Sequence, residues 1–117
     1  MKDFRKLIVW EKAHHLTLKI YKVTESFPRE EMYALVSQIR RASVSIPTNT
    51  AEGCVRSSDA DFSRFLYISL GSTSELEYLM LLSKDLEYIN EELYNELAKD
   101  VNEIKKMLIG MIKKLKA

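Results

Sequence analysis

Cysteine, glycine, proline and histidine are all scarce in this 117-residue chain, and each scarcity excludes something. The single cysteine, Cys54, rules out an intramolecular disulfide and fits a reducing compartment. Without a neighbouring base it reads as a small packing residue. Three glycines and two prolines are too few for a many-turned β fold, so long helices are expected. The two histidines, His14 and His15, are adjacent, about 100° apart around a helix. Long apolar runs are missing too. Leu7-Ile8-Val9-Trp10 is too short for a signal segment or a membrane span, so a cytoplasmic protein without membrane contact is expected.

What is present reads as one globular domain over residues 1–117. Hydrophobic residues at 46% and charged residues at 30% are enough for a core and a solvated surface. The net charge of +1 is low for a dedicated nucleic-acid binder. Charge is unevenly spread, however. Glu75, Glu77, Asp85, Glu87, Glu91, Glu92 and Glu96 make one stretch acidic, and Lys105, Lys106, Lys113, Lys114 and Lys116 make the C-terminus basic. Solvated helix faces account for this, with lysines favourably placed near a helix C-terminus.

Four helical segments are predicted from the 3-4 spacing of apolar residues. The first covers about Ile8 to Ser26 and ends at Phe27-Pro28. The second begins near Arg29 or Glu30, and Leu35, Ile39, Ala42, Ile46, Asn49 and Gly53 keep its phase across Pro47. One helix kinked between Ser43 and Pro47 is therefore expected. The Ser43 carbonyl loses its amide partner there, and a hydroxyl or water should replace it. Ser58 with Asp61 resembles a capping box and opens a third helix, from Asp59 to about Tyr88. Gly71 lies within it, implying close approach of a neighbouring helix. Asn90 caps the fourth, whose Leu93, Leu97, Val101, Ile104, Leu108, Met111 and Leu115 are the cleanest stripe in the chain. Short turns between long helices predict an all-α, antiparallel up-down-up-down four-helix bundle.

Apolar residues exceed what one buried face per helix requires. Leu16, Ile20, Val23 and Phe27 form one candidate surplus, and Tyr67, Leu70, Tyr78 and Leu81 another. Surplus apolar surface predicts a homo-oligomer.

Catalytic and cofactor chemistry finds little support. A di-iron bundle needs two Glu-x-x-His motifs on facing helices, and only Glu11 to His14 supplies one. No zinc set, phosphate-binding loop or nucleophile triad emerges, so no enzyme activity and no cofactor are expected. One polar constellation stands out: Arg41, Ser45, Asn49 and Glu52 on the second segment, with Ser72 and Glu75 on the third. It reads either as a pocket with paired carboxylates or as a hydrogen-bond network that sets helix register. The second reading is preferred, since no nucleophile or metal ligand joins the set.

Gln38 to Gly53, Q-I-R-R-A-S-V-S-I-P-T-N-T-A-E-G, resembles the signature of a bacterial four-helix bundle family encoded by intervening sequences of 23S ribosomal RNA genes. Leu7 to Trp10 with Ala13, then Phe27-Pro28, Glu31 and Leu35, extend the resemblance. Arg56, Phe62, Phe65-Leu66, Gly71-Ser72 and Glu75-Leu76 carry it into the third helix. Thr50 stands where the family more often has isoleucine. The resemblance implies a ring, commonly a pentamer, and no catalytic activity. It also implies kinship with the accessory variability determinant proteins of retroelements. Those relatives bind nucleic acid through a basic surface and contact a reverse transcriptase.

Two functions follow as expectations. One is an oligomeric accessory protein that binds RNA or DNA, with Arg40, Arg41, Arg56 and Arg64 lining a basic face and Lys105, Lys106, Lys113 and Lys114 extending it. The other is a self-associating structural or protein-binding module with no nucleic-acid role.

Overall fold

The computed structural model describes residues 2–117. Four helices account for most of them: α1 (Ile8–Thr24), α2 (Leu35–Cys54), α3 (Asp59–Asp85) and α4 (Glu91–Lys116). Short 3-10 turns at Phe4–Lys6 and Arg29–Glu31 precede α1 and α2. No strand occurs among the described residues. Each helix packs on the next, and α4 returns to α1; the diagonal pairs share no close backbone contact.

One core cluster draws on all four helices. Ile20, Ile39, Ile46, Leu66, Leu76, Leu97, Ile104 and Leu108 are among its fully buried members. Burying each such side chain contributes roughly 1.5–3 kcal/mol relative to exposure. Leu16, Ile20 and Phe27 belong to this core, which corrects their reading as surplus surface. Tyr67, Tyr78 and Leu81, from the other proposed surplus, are exposed.

Local chemistry sets most helix ends. The Ser58 hydroxyl accepts from the Asp61 amide at 3.1 Å, and the Asn90 side chain accepts from the Leu93 amide at 2.8 Å. These side chains satisfy amides that have no partner within the helix. α3 stops at Asp85 because Glu87 adopts φ 64°, a left-handed conformation. The Tyr88 amide then reaches back to the Ser83 carbonyl, and the Glu87 amide to that of Lys84, both at 2.9 Å. This is the usual glycine-terminated ending made without glycine.

α2 begins at Leu35, later than its sequence suggests. Phe27 is buried against Tyr88, whose hydroxyl donates to Glu31 at 2.9 Å. These contacts tie Glu31 to the end of α3, so the chain turns a corner before entering α2. Beyond that corner α2 runs unbroken through Pro47.

The close helix approach expected at Gly71 falls at Gly53 instead. A Cβ on Gly71 would meet nothing within 4 Å, so no helix approaches it closely. A Cβ on Gly53 would lie 2.9 Å from both Phe62 Cδ1 and Phe65 Cβ. Gly53 is where α2 and α3 close on each other.

Candidate functional site

The polar constellation is only partly assembled. Ser72 Oγ donates to Ser45 Oγ at 2.8 Å, and Asn49 Nδ2 donates to Ser45 Oγ and to the Ser45 carbonyl at 2.9 Å. Ser45, Asn49 and Ser72 thus bridge α2 and α3. Arg41 and Glu75 line one depression beside this bridge, without a hydrogen bond or ion pair to any described residue. Glu52 faces elsewhere, beside Trp10 and His14.

A second hydroxyl cluster sits deeper. The Thr50 and Ser69 hydroxyls both donate to the Ile46 carbonyl, at 2.8 and 3.0 Å, and lie 3.0 Å from each other. Thr50 is fully buried, and its hydroxyl leaves no unsatisfied group there. Among the described residues every buried side-chain nitrogen and oxygen has a partner. These clusters hold helices in register and offer no free group for chemistry. Burial pushes the Cys54 thiol pKa up, away from the thiolate. No three His, Cys, Asp or Glu side chains among the described residues gather as a metal set.

The eight candidate cations do not share a face. Arg40 is committed to α1: its Nε donates to Thr24 Oγ1 at 2.9 Å, its Nη2 to the Tyr21 carbonyl at 3.2 Å, and its guanidinium covers the Tyr21 ring. Lys105 pairs with Glu77 at 2.9 Å. Arg56 and Arg64 both cover the Phe65 ring and both pair with Asp61. Arg41, Lys106, Lys113 and Lys114 make no hydrogen bond or ion pair among the described residues and are exposed.

Charge is nevertheless separated along the molecule, which is 44 Å long. The Lys2 amide donates to the Cys54 carbonyl, and Lys116 donates to the Tyr67 hydroxyl. These contacts gather Lys2, Arg5, Lys6, Arg56, Arg64, Lys113, Lys114 and Lys116 at one end, against Asp3, Asp59 and Asp61. The Phe27–Tyr88 and Tyr88–Glu31 contacts define another end, which carries Glu25, Glu30, Glu31, Asp85, Glu87, Glu91 and Glu92 against Lys22, Arg29 and Lys84. A net charge near zero conceals this.

The sides of the molecule also differ. The α1–α4 seam is bridged by ion pairs, Lys12 with Glu103 and Lys19 with Asp100 and Glu96, which line a smaller depression of about 250 Å³. Those carboxylates raise the pKa of both lysines, and Lys12 in turn lowers that of Glu103. The α1–α2 side instead holds an apolar depression of about 630 Å³, bordered by Tyr21, Met32, Tyr33 and Val44. Arg40 and Arg41 are its charged residues, and no carboxylate lines it. Tyr33 is 95% exposed. Sequence reasoning missed Met32 and Tyr33. Their signal was two large apolar side chains after Pro28, of which Met32 continues the 3-4 spacing of the second segment and Tyr33 falls outside it.

Four packed helices with hydroxyl-bridged interiors and an apolar flank make this an all-α bundle-class protein. The chain belongs to the 23S rRNA-intervening sequence protein family, whose model matches residues 5–110. A crystal structure from Bacteroides thetaiotaomicron, described as a protein with unknown function from the S23 ribosomal protein family, is similar with a TM-score of 0.82. It is 33% identical, and the match covers 91% of this chain and 99% of that one. No curated protein matches. No helix among the described residues is long and apolar enough to cross a membrane.

Proposed function

We propose that this protein is a non-enzymatic bundle that assembles with copies of itself. One observation carries the reading: Tyr21, Met32, Tyr33 and Val44 are exposed together on the α1–α2 side, whereas paired charges line the α1–α4 seam. A soluble chain gains by covering such a surface. Five subunits in a ring is the count that family resemblance implies.

The bundle runs up, down, up, down in this reading. Pairs with rising and falling residue numbers support it: Lys12–Glu103 with Lys19–Glu96, Ser45–Ser72 with Ile46–Ser69, and Glu77–Lys105 with Tyr67–Lys116. A bend of α2 at Pro47 belongs to the same reading, supported by the Thr17 hydroxyl donated to the Ser43 carbonyl.

Light scattering during size-exclusion chromatography tests the assembly. A mass several times 13.6 kDa supports it, and a single-chain mass at high concentration overturns it.

A second reading, nucleic-acid binding, is favoured by the basic end. Arg56, Arg64, Lys113 and Lys114 lie there, and repetition in an oligomer would multiply a weak patch. Binding of labelled single- and double-stranded RNA and DNA should then weaken steeply with salt. Salt-insensitive or absent binding removes this reading and leaves the self-associating module.

A further inference from the structure

Glu52 is left out of the α2–α3 hydroxyl bridge and stands in different company. It borders a depression of about 450 Å³ between α1 and α2, a size within the range of ligand clefts. Three rings form one wall. Trp10 stacks on His14 with centroids 5.1 Å apart and planes 7° apart, and Phe4 meets Trp10 edge to face at 4.8 Å. All three are half-buried, so each ring is braced yet still reachable from solvent. Val44 and the buried Pro47 supply apolar surface from α2, and Pro47 has no amide to donate.

The charge here is one-sided. The Glu52 carboxylate is exposed and makes no hydrogen bond or ion pair among the described residues. It is the one carboxylate lining the depression, and no lysine or arginine lines it. The pattern differs elsewhere on α1. Carboxylates of the α1–α4 seam already hold Lys12 and Lys19, and the depression at Tyr21 has arginines without a carboxylate.

A neighbour shows what these rings accept. The Arg5 guanidinium lies over the Phe4 ring at 4.5 Å and within 3.7 Å of Asp3, and Arg5 does not line the depression. Rings beside an unpaired carboxylate attract a cation with a flat, weakly hydrated body. A guanidinium meets both features: it stacks on a ring while its fork of N–H donors grips the carboxylate. A lysine ammonium is a compact, strongly hydrated point charge and uses the rings less well. Exposed Val44 and Thr48 are shared with the Tyr21 depression, so the site is open along α2. An extended chain can run through it, whereas a free small cation has no lid over it.

We propose that this depression binds an arginine side chain of a protein partner, with the guanidinium against the Phe4–Trp10 wall and paired to Glu52. Residues flanking that arginine lie against Val44 and Pro47. The assignment goes beyond self-association and stands whether or not copies assemble.

Trp10 is the only tryptophan of the chain, so its emission reports this site. The full chain is titrated into the millimolar range with acetyl-Ala-Arg-Ala-amide, and with the same peptide carrying lysine or citrulline, the neutral isostere. The arginine peptide should give a saturable change in emission, lysine a weaker one and citrulline none. Glu52→Gln should weaken the arginine peptide about tenfold or more, the loss of one charge-assisted pair. Its melting temperature and light-scattering mass should match wild type. No saturable change with the arginine peptide overturns the proposal, and so does an equal response to citrulline or lysine. Unchanged affinity in Glu52→Gln overturns it as well. A Glu52→Gln variant of altered mass assigns the carboxylate to contact between copies and overturns it. Free arginine that binds as tightly as the peptide makes the occupant a small molecule and overturns the protein partner. RNA that quenches Trp10 equally in wild type and Glu52→Gln, where the peptide does not, assigns the rings to base stacking and overturns it too.

Discussion

The Thr17 hydroxyl lies 3.0 Å from the Ser43 carbonyl, the α2 carbonyl whose i+4 amide Pro47 removes. A side chain of α1 thereby supplies what the α2 backbone lacks. The same hydroxyl lies 2.8 Å from the Ala13 carbonyl, so its one proton is shared between two acceptors. Thr17→Val should destabilise the fold by about 1–3 kcal/mol, the cost of stranding a buried acceptor. In a Pro47→Ala background an amide returns to Ser43 and the same substitution should cost much less. Urea unfolding of the four proteins in this double-mutant cycle measures the coupling; additive effects would mean that Thr17 does not serve the proline site.

Two glycine-to-alanine substitutions should have opposite signs. Gly53→Ala places a methyl against Phe62 and Phe65 and should destabilise by about 1–3 kcal/mol. Gly71→Ala meets open space within α3 and should stabilise by about 1 kcal/mol through helix propensity. Thermal melts of both variants decide it.

Glu87 ends α3 at φ 64°, where a side chain is strained. Glu87→Gly should stabilise by roughly 0.5–1 kcal/mol, and Glu87→Asn by less, as Asn tolerates this conformation better than most residues. Glu87→Val should destabilise. A chemical denaturation series would contradict the assignment if Gly and Val shifted the midpoint alike.

The Lys12–Glu103 pair predicts a pH window. Glu103 has a lowered folded pKa, so its contribution is present above the unfolded carboxylate value, about 4.3. It is lost as pH falls through the folded pKa. Lys12 has a raised folded pKa, so its contribution is complete below the unfolded lysine value, about 10.4, and is lost as pH rises through the folded pKa. The melting-temperature difference between wild type and Glu103→Gln should therefore be largest between these limits and shrink outside them. It should also shrink with added salt, because both groups are substantially exposed.

Local signals were the most legible in the sequence. Ser58 and Asn90 cap helices as their neighbours imply, because a cap needs only its own next three residues. The α4 stripe also reads directly: Leu97, Val101, Ile104 and Leu108 are all buried. The start of α2 was misread because Phe27, Tyr88 and Glu31 meet only after folding, and their contacts outweigh the helical preference of Arg29 to Ala34. Gly71 was misassigned for a related reason: a glycine's purpose depends on what faces it across the bundle, and the close approach falls at Gly53 instead.

The candidate sites were less legible than the helices. Charge and residue type marked Arg40, Arg56, Arg64 and Lys105 as cations, but their pairing with Thr24, Asp61 and Glu77 depends on neighbouring helices. Tyr33 escaped notice because it belongs to no periodic stripe, and its exposure is a property of the corner that holds it.

The sequence by itself determined that this is an all-α chain with four helices, because apolar spacing, caps and scarce breakers act within a few residues. Only the tertiary structure decided which stripes are core, which arginines remain free, and that charge collects at different ends. Those properties depend on which surfaces the helices turn toward one another, and that geometry is set by contacts between residues far apart in the chain.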